Sequence, residues 1–170
     1  MNGCDQPGLM TVEQALERLL AAAQPLSDTE TVSLMQALGR VLAADQESPV
    51  DVPPADNSAM DGFALRFADC NTGEETTLPI SQRIPAGAVP EPLQPGSAAR
   101  IFTGAEVPLG ADTVVMQEQC RWDDTRVTLA ADIKSGTNIR PTGQDIHCGA
   151  TVLVRGHRLK PQDLGLLASV

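Results

Sequence analysis

The chain has 170 residues, enough for one ordinary domain or two small ones. Apolar residues make up 42% and aromatics 2%, and 12 basic against 22 acidic side chains leave a net charge of −10. That balance excludes a phosphate-neutralising surface or stacking platform for nucleic acid; the absence of any apolar run of about 18 residues, or of a signal peptide, points to a soluble cytoplasmic protein.

In chain order, residues 11–23 read as a helix. Val12, Ala15, Leu16, Leu19, Leu20 and Ala23 form one apolar stripe, Thr11 and Gln14 form a capping box, and Pro25 stops it. Thr31–Leu34 alternates like a strand, Gly39 interrupts, and Arg40–Ala43 resumes. Nine of the 13 prolines then fall between residues 49 and 108, which forbids long helices there. Short strands are expected over 63–67, 77–84, 98–103, 113–119 and 126–133, with hairpin turns at Asn71-Thr72-Gly73 and, lacking glycine, at Asp123-Asp124. Thr151–Val154 reads as a strand. Lys160-Pro161-Gln162-Asp163 opens a second helix, and the pattern reaches Val170 without a cap, as in a piece of a longer protein.

The resulting fold class is mixed α+β and β-rich. A barrel-like subdomain (49–143) is inserted into a discontinuous, helix-containing subdomain (1–48 and 144–170). Cysteines at 4, 70, 120 and 148 form no C-x-x-C pair, and His147 and His157 complete no metal-ligand template, so scattered thiols are the plain reading.

Chemistry is expected at four polar clusters on strand ends. Asp56-Asn57-Ser58-Ala59-Met60-Asp61-Gly62 follows the proline linker; its plain reading is an Asx-rich turn. Thr103-Gly104, ending a strand, presents a hydroxyl and backbone N–H groups to an anion, or is an ordinary turn. Glu118 ends the strand Val114–Gln117 and could equally be a solvated carboxylate. Arg140 and Asp145 share a loop, where a surface ion pair would contribute little. Taken together, Asp61, Glu118 and Asp145 are hard oxygen ligands suited to magnesium, and Arg140 with Thr103-Gly104 suits an oxyanion or phosphate.

The segments DNSAMDGFAL, IFTGAEVPLGADTVVMQEQ and NIRPTGQDI, in this order, strongly resemble the N-terminal half of the molybdopterin molybdenumtransferase family, to which the C-terminal domain of gephyrin is related. The resemblance covers the chain from about Leu9. It implies an enzyme that inserts molybdenum from molybdate into adenylylated molybdopterin and releases AMP, with Mg2+. It also implies an elongated homodimer of four-domain subunits, whose cleft lies between the second domain of one subunit and the third of the other. Other molybdenum cofactor synthesis proteins are possible partners. By the same resemblance Asp61 and Thr103 are catalytic, Ser58, Met60, Gly104 and Arg140 bind substrate, and Glu118 and Asp145 hold metal. Gln144 stands where the family motif carries glutamate, which removes one cleft charge. The family's pterin-binding third domain and its C-terminal domain are not found in this sequence, so the fragment is expected to be inactive alone. The competing readings are a non-catalytic dimerisation or scaffold module of the same fold, and a stand-alone metal or oxyanion binder.

Overall fold

The computed structural model describes residues 10–170 apart from Pro25 and Thr72. Cys4, the stop at Pro25 and the centre of the Asn71-Thr72-Gly73 turn therefore lie outside the described residues. The chain divides into two units, residues 1–33 and 34–170.

The first unit contains α1 (Val12–Ala22). Its N-terminus is closed as the sequence predicts: the Gln14 N–H donates to Thr11 Oγ1 and the Thr11 N–H to Gln14 Oε1, both at 3.2 Å. Two of the four open N–H groups of the first turn are satisfied in this way.

The second unit is β-rich. Strands β1 (Gln46–Glu47) and β10 (Thr151–Leu153) pair with each other, as do β2 (Asn57–Ser58) and β9 (Ile139–Arg140). The remaining strands are β3 (Gly62–Leu65), β4 (Thr76–Ile84), β5 (Ala98–Ile101), β6 (Thr113–Met116), β7 (Cys120–Trp122) and β8 (Arg126–Leu129). They form one curled, half-barrel sheet in the order β6-β3-β5-β4-β8-β7. All its pairings are antiparallel except β4 with β5. Helix α2 (Pro161–Ala168) closes the chain, with proline in its first turn.

The core follows from the strand sequences. Side chains alternate between faces along a strand. Phe63 and Leu65 pack with Val115, Ala98, Leu78, Val127 and Leu129, while Ala64 packs on the other side with Val114, Ala99, Ile101 and Ile84. Both faces of β3 are covered, so Gly-Phe-Ala-Leu is buried at every position and shows no polar alternation. By contrast, β8 buries Val127 and Leu129 but exposes Arg126.

The segments at the two ends of this unit meet. Val41 bridges Arg158, β1 pairs β10, and the single turn Leu34–Gln36 packs on α2. The expected strand at 31–34 is absent. Residues 31–33 form no strand, because alternation over four residues sets a face but supplies no ladder. The resumed strand at 40–43 reduces to the Val41 bridge.

The other expected strands lie where predicted; that at 77–84 ends at Ile84 as expected and that at 151–154 one residue early, while four stop two to four residues early, at Leu65, Ile101, Met116 and Leu129. Single 3-10 turns at Phe67–Asp69 and Gln117–Gln119 bend the chain out of the sheet and separate β6 from β7. The Asp123-Asp124 turn forms without glycine because Asp123 Oδ1 accepts from Thr125 N–H (2.7 Å), Thr125 Oγ1 (2.8 Å) and Arg126 N–H (2.9 Å). Helix α2 does not run on to Val170: the Ser169 N–H donates to Leu166 O at 3.0 Å and closes it.

Cys70 and Cys120 pack against the core, and burial pushes the Cys120 thiol up to about 11, whereas Cys148 is exposed. With iodoacetamide at mildly alkaline pH, peptide mass spectrometry should show Cys148 alkylated well before Cys120, since the thiolate is the nucleophile. Equal rates would show that the β6–β7 corner opens readily.

Candidate functional site

The strip from Asp51 to Asp61 runs between the small pairings and the main sheet, and it gathers three loops. Ser58 N–H donates to Ala105 O (2.9 Å), Gly104 N–H to Ser58 O (2.8 Å) and Ala59 N–H to Asn138 O (2.9 Å). The buried Ser58 hydroxyl donates to Met60 O at 2.6 Å and accepts the Met60 N–H at 3.3 Å, so the strip turns before Asp61.

Asp61 Oδ1 then receives both the N–H and the hydroxyl of Thr103, each at 2.8 Å, and its carbonyl accepts the Gln117 N–H at 3.0 Å. The Thr103 amide, followed by its hydroxyl, holds the Asp61 carboxyl below the usual carboxylate range, with a smaller contribution from Arg100. Asp61 is therefore a fixed anion at the junction of the β3, β5 and β6 ends.

A second clasp of the same form lies further back. Asp56 Oδ1 accepts the Thr142 N–H (2.7 Å) and hydroxyl (2.9 Å), tying the strip to the β9 loop. Neither carboxylate bonds its own turn, as an Asx-turn would require, whereas Asn57 does bond local backbone, its Nδ2 donating to Ala55 O at 3.5 Å.

The structure thus brings together Ser58, Met60, Asp61, Thr103 and Gly104. Glu118 is one step away: its Oε1 accepts from Gln117 Nε2 at 3.0 Å, and it is exposed. Arg140 lies beside this group, in register with Asn57 and exposed. Asp145 does not join it. Its N–H donates to Val52 O at 2.9 Å, at the far end of the strip, and its side chain is exposed. The three carboxylates read as magnesium ligands therefore do not converge, because they stand on separate loops. Among the described residues no group of three or more His, Cys, Asp or Glu side chains could hold a metal.

Sequence reasoning passed over Arg100, and it marked Gln117 only as the amide beside Glu118 at a strand end, without a role. Arg100 is only 9% exposed, and its guanidinium donates to Gly62 O (3.0 Å) and to Gln117 Oε1, bracing the backbone next to Asp61. The available signal was a charged residue inside the otherwise apolar strand Ala98-Ala99-Arg100-Ile101.

A curled β sheet reached by a strip of clasped loops, with an aspartate fixed by a Thr-Gly turn, defines a loop-built polar site on a rigid β scaffold. Residues 10–170 match the family described as MoeA N-terminal region (domain I and II), and the chain belongs to that family. The molybdopterin molybdenumtransferase of Nostoc sp. is 38% identical over 96% of this chain and 38% of its own length. That of Haemophilus influenzae is 39% identical over 95% of this chain and 40% of its own length. The crystal structure of the molybdopterin biosynthesis moeA protein from Pyrococcus horikoshii OT3 superposes with a TM-score of 0.85 at 36% identity, covering 92% of this chain and 42% of that one. The chain spans about two-fifths of the length of these relatives. Among the described residues no helix is long and apolar enough to cross a membrane.

Proposed function

We propose that this chain supplies the Asp61–Thr103 half of a site that inserts molybdenum from molybdate into adenylylated molybdopterin and releases AMP, in molybdenum cofactor biosynthesis. The observation that carries the reading is the pair of hydrogen bonds that Thr103 donates to Asp61 Oδ1. It fixes a carboxylate at the meeting point of the Ser-Ala-Met-Asp-Gly strip and the Thr-Gly-Ala turn, in a chain related to enzymes named molybdopterin molybdenumtransferase.

Asp61 supplies fixed negative charge, Thr103 and the Ser58 turn hold it in place, and Gly104 exposes backbone at the rim. Arg140, exposed and in register with Asn57, is the cation offered to an anionic substrate group. Magnesium belongs to the proposal, and Asp61 Oδ2, the carboxylate oxygen that Thr103 does not use, would hold it. The ion ordinarily keeps several waters and takes substrate phosphate oxygens, so one or two carboxylates meet its needs. When bound it would neutralise charge on the adenylate phosphate. The division into 1–48 with 144–170, and an inserted 49–143, is part of the same reading; the pairings of Val41 with Arg158 and of β1 with β10 support it for residues 34–48.

The test is a chimaera in which this chain replaces the matching N-terminal two-fifths of the Nostoc relative. Molybdenum insertion and AMP release from adenylylated molybdopterin, molybdate and Mg2+ are expected. A folded chimaera that binds molybdopterin but inserts no metal would favour the scaffold reading.

A homodimer is the remaining element. On α1, Val12, Leu16, Leu19 and Leu20 are 80, 53, 70 and 66% exposed, an apolar stripe of the kind that marks an interface. Light scattering of the chain at high concentration should show a dimer, and Leu16→Glu with Leu19→Glu should shift it to monomer. Monomer alone for the unaltered chain would remove α1 from the proposal.

A further inference from the structure

Strand β5 is buried at every position, Arg100 included. A cation there is ordinarily matched by an anion. Yet among the described residues Arg100 is ion-paired to no carboxylate. Asp123 and Asp124 line the same hollow of about 340 Å3 as Arg83, Arg100 and Trp122, but Asp123 Oδ1 is taken by three bonds within its own turn. Aromatic rings stand in for the missing partner: the Arg100 guanidinium lies 5.0, 4.8 and 4.9 Å from the ring centres of Phe63, Phe102 and Trp122. Arg83, its neighbour in register on β4, lies 4.5 Å from Phe102 and, as a like charge, gives it no compensation.

The hydrogen bonds of Arg100 go instead to two neutral groups, and both adjoin Asp61. Its Nη1 donates at 3.0 Å to the carbonyl of Gly62, the residue after Asp61, and its Nη2 donates to Gln117 Oε1. Gln117 in turn gives its N–H to the Asp61 carbonyl at 3.0 Å. The guanidinium fork therefore ties the start of β3 to the 3-10 turn Gln117–Gln119, the two segments that meet at Asp61. A planar fork holds two acceptors at one spacing, which an ammonium does not.

The same contact orients Gln117. A guanidinium only donates and a carboxylate only accepts, so one amide orientation serves both neighbours: Oε1 on Arg100, and Nε2 on Glu118 Oε1 at 3.0 Å. Without the guanidinium the amide is free to turn over, and Glu118 loses its donor.

We propose that Arg100 and Gln117 are positioning residues of the Asp61–Thr103 site: the buried guanidinium locks the backbone that carries Asp61 and, through the Gln117 amide, sets the direction of the Glu118 carboxylate. This task accounts for a buried cation without a carboxylate partner, since a carboxylate in place of the Gln117 amide would repel Glu118 rather than hold it. The role rests on the reading of Asp61 as the working carboxylate.

The first test needs no catalysis. The Thr103 and Thr142 amides donate to the carboxylates of Asp61 and Asp56, so both should resonate downfield in proton–nitrogen spectra of the chain. In Arg100→Met the Thr103 signal should move upfield while that of Thr142 stays, because Arg100 braces the first clasp alone. Arg83→Gln, which removes the neighbouring charge at an exposed position, should move neither. In the active chimaera, Arg100→Met should lower kcat about tenfold or more with KM near that of the parent, as when an alignment made for the transition state is lost. Arg100→Lys keeps the charge but reaches one acceptor, so it should fall between the parent and Arg100→Met in both measurements; if Arg100→Met does not fold, this variant carries the test. Thr103 and Thr142 signals that shift together, a Thr103 signal that does not shift, or a kcat within about twofold of the parent's would overturn the proposal. A chimaera that inserts no molybdenum would count against the activity and leave the Thr103 signal to decide the role of Arg100.

Discussion

Gly62→Ala should remove a large share of the sheet's stability. A Cβ on Gly62 would lie 2.0 Å from the Val115 carbonyl oxygen and 2.9 Å from its carbon. Both are backbone atoms of β6, so no rotamer change relieves the contact. Gly62 is also held on its other side, in register with Ile101 of β5. The clash can be released only by prying β3 from β6, and overpacking of that kind costs about 3 kcal/mol or more. Urea denaturation should show a lowered midpoint at unchanged slope. Gly165→Ala is the control. That position, inside α2, has nothing within 4 Å of the added carbon, so it should gain about 0.5–1 kcal/mol from helix propensity. If Gly62→Ala shifted stability by less than about 0.5 kcal/mol, the close approach of β3 to β6 would be wrong.

Asp61→Asn should separate chemistry from fastening. The amide keeps an oxygen for the Thr103 N–H and hydroxyl, so the clasp survives while its charge is lost. In the active chimaera, molybdenum insertion should fall about a hundred- to a thousandfold, as when an electrostatic contact to the transition state is removed. The melting curve should barely move. Asp56→Asn makes the same change at the second clasp, on Thr142, and should leave the rate near that of the parent. Equal, small effects at both aspartates would reduce Asp61 to a fastener.

The pH dependence carries a sign. Because Thr103 depresses the folded-state pKa of Asp61, the stabilisation from its ionised form is fully present above the unfolded carboxylate value of about 3.9. It is lost only as pH falls through the lower folded value. Asp61 should therefore contribute no acidic limb to the rate profile above about pH 4, and an inflection nearer neutrality would assign that limb to another group.

Much of this architecture was legible in the residues. The Thr11–Gln14 box, the proline in the first turn of α2 and the apolar strands are local signals, each carried by a few neighbouring side chains. The proline-rich middle announced short strands for the same reason. The turn at Asp123 was legible only in part, because glycine is the familiar signal and an aspartate side chain closes it instead.

Other features depend on partners distant in sequence. Strand ends were read too long, since period-two alternation continues into a 3-10 turn and only the lost ladder partner marks the end. Alternation at Thr31–Leu34 likewise specified a face without a strand to pair it. The polar segments themselves could be picked out as candidates, but not their grouping: Asp61 meets Thr103 across 42 residues and Asp56 meets Thr142 across 86, while Asp145 stays apart. The side-by-side placement of Arg83 and Arg100 depends wholly on tertiary structure, because they become neighbours only when β4 pairs β5. Residue types and local spacing determined which elements form and which side chains could do chemistry. Which of those side chains meet was decided by strand register, a property of pairs of segments that neither segment encodes alone.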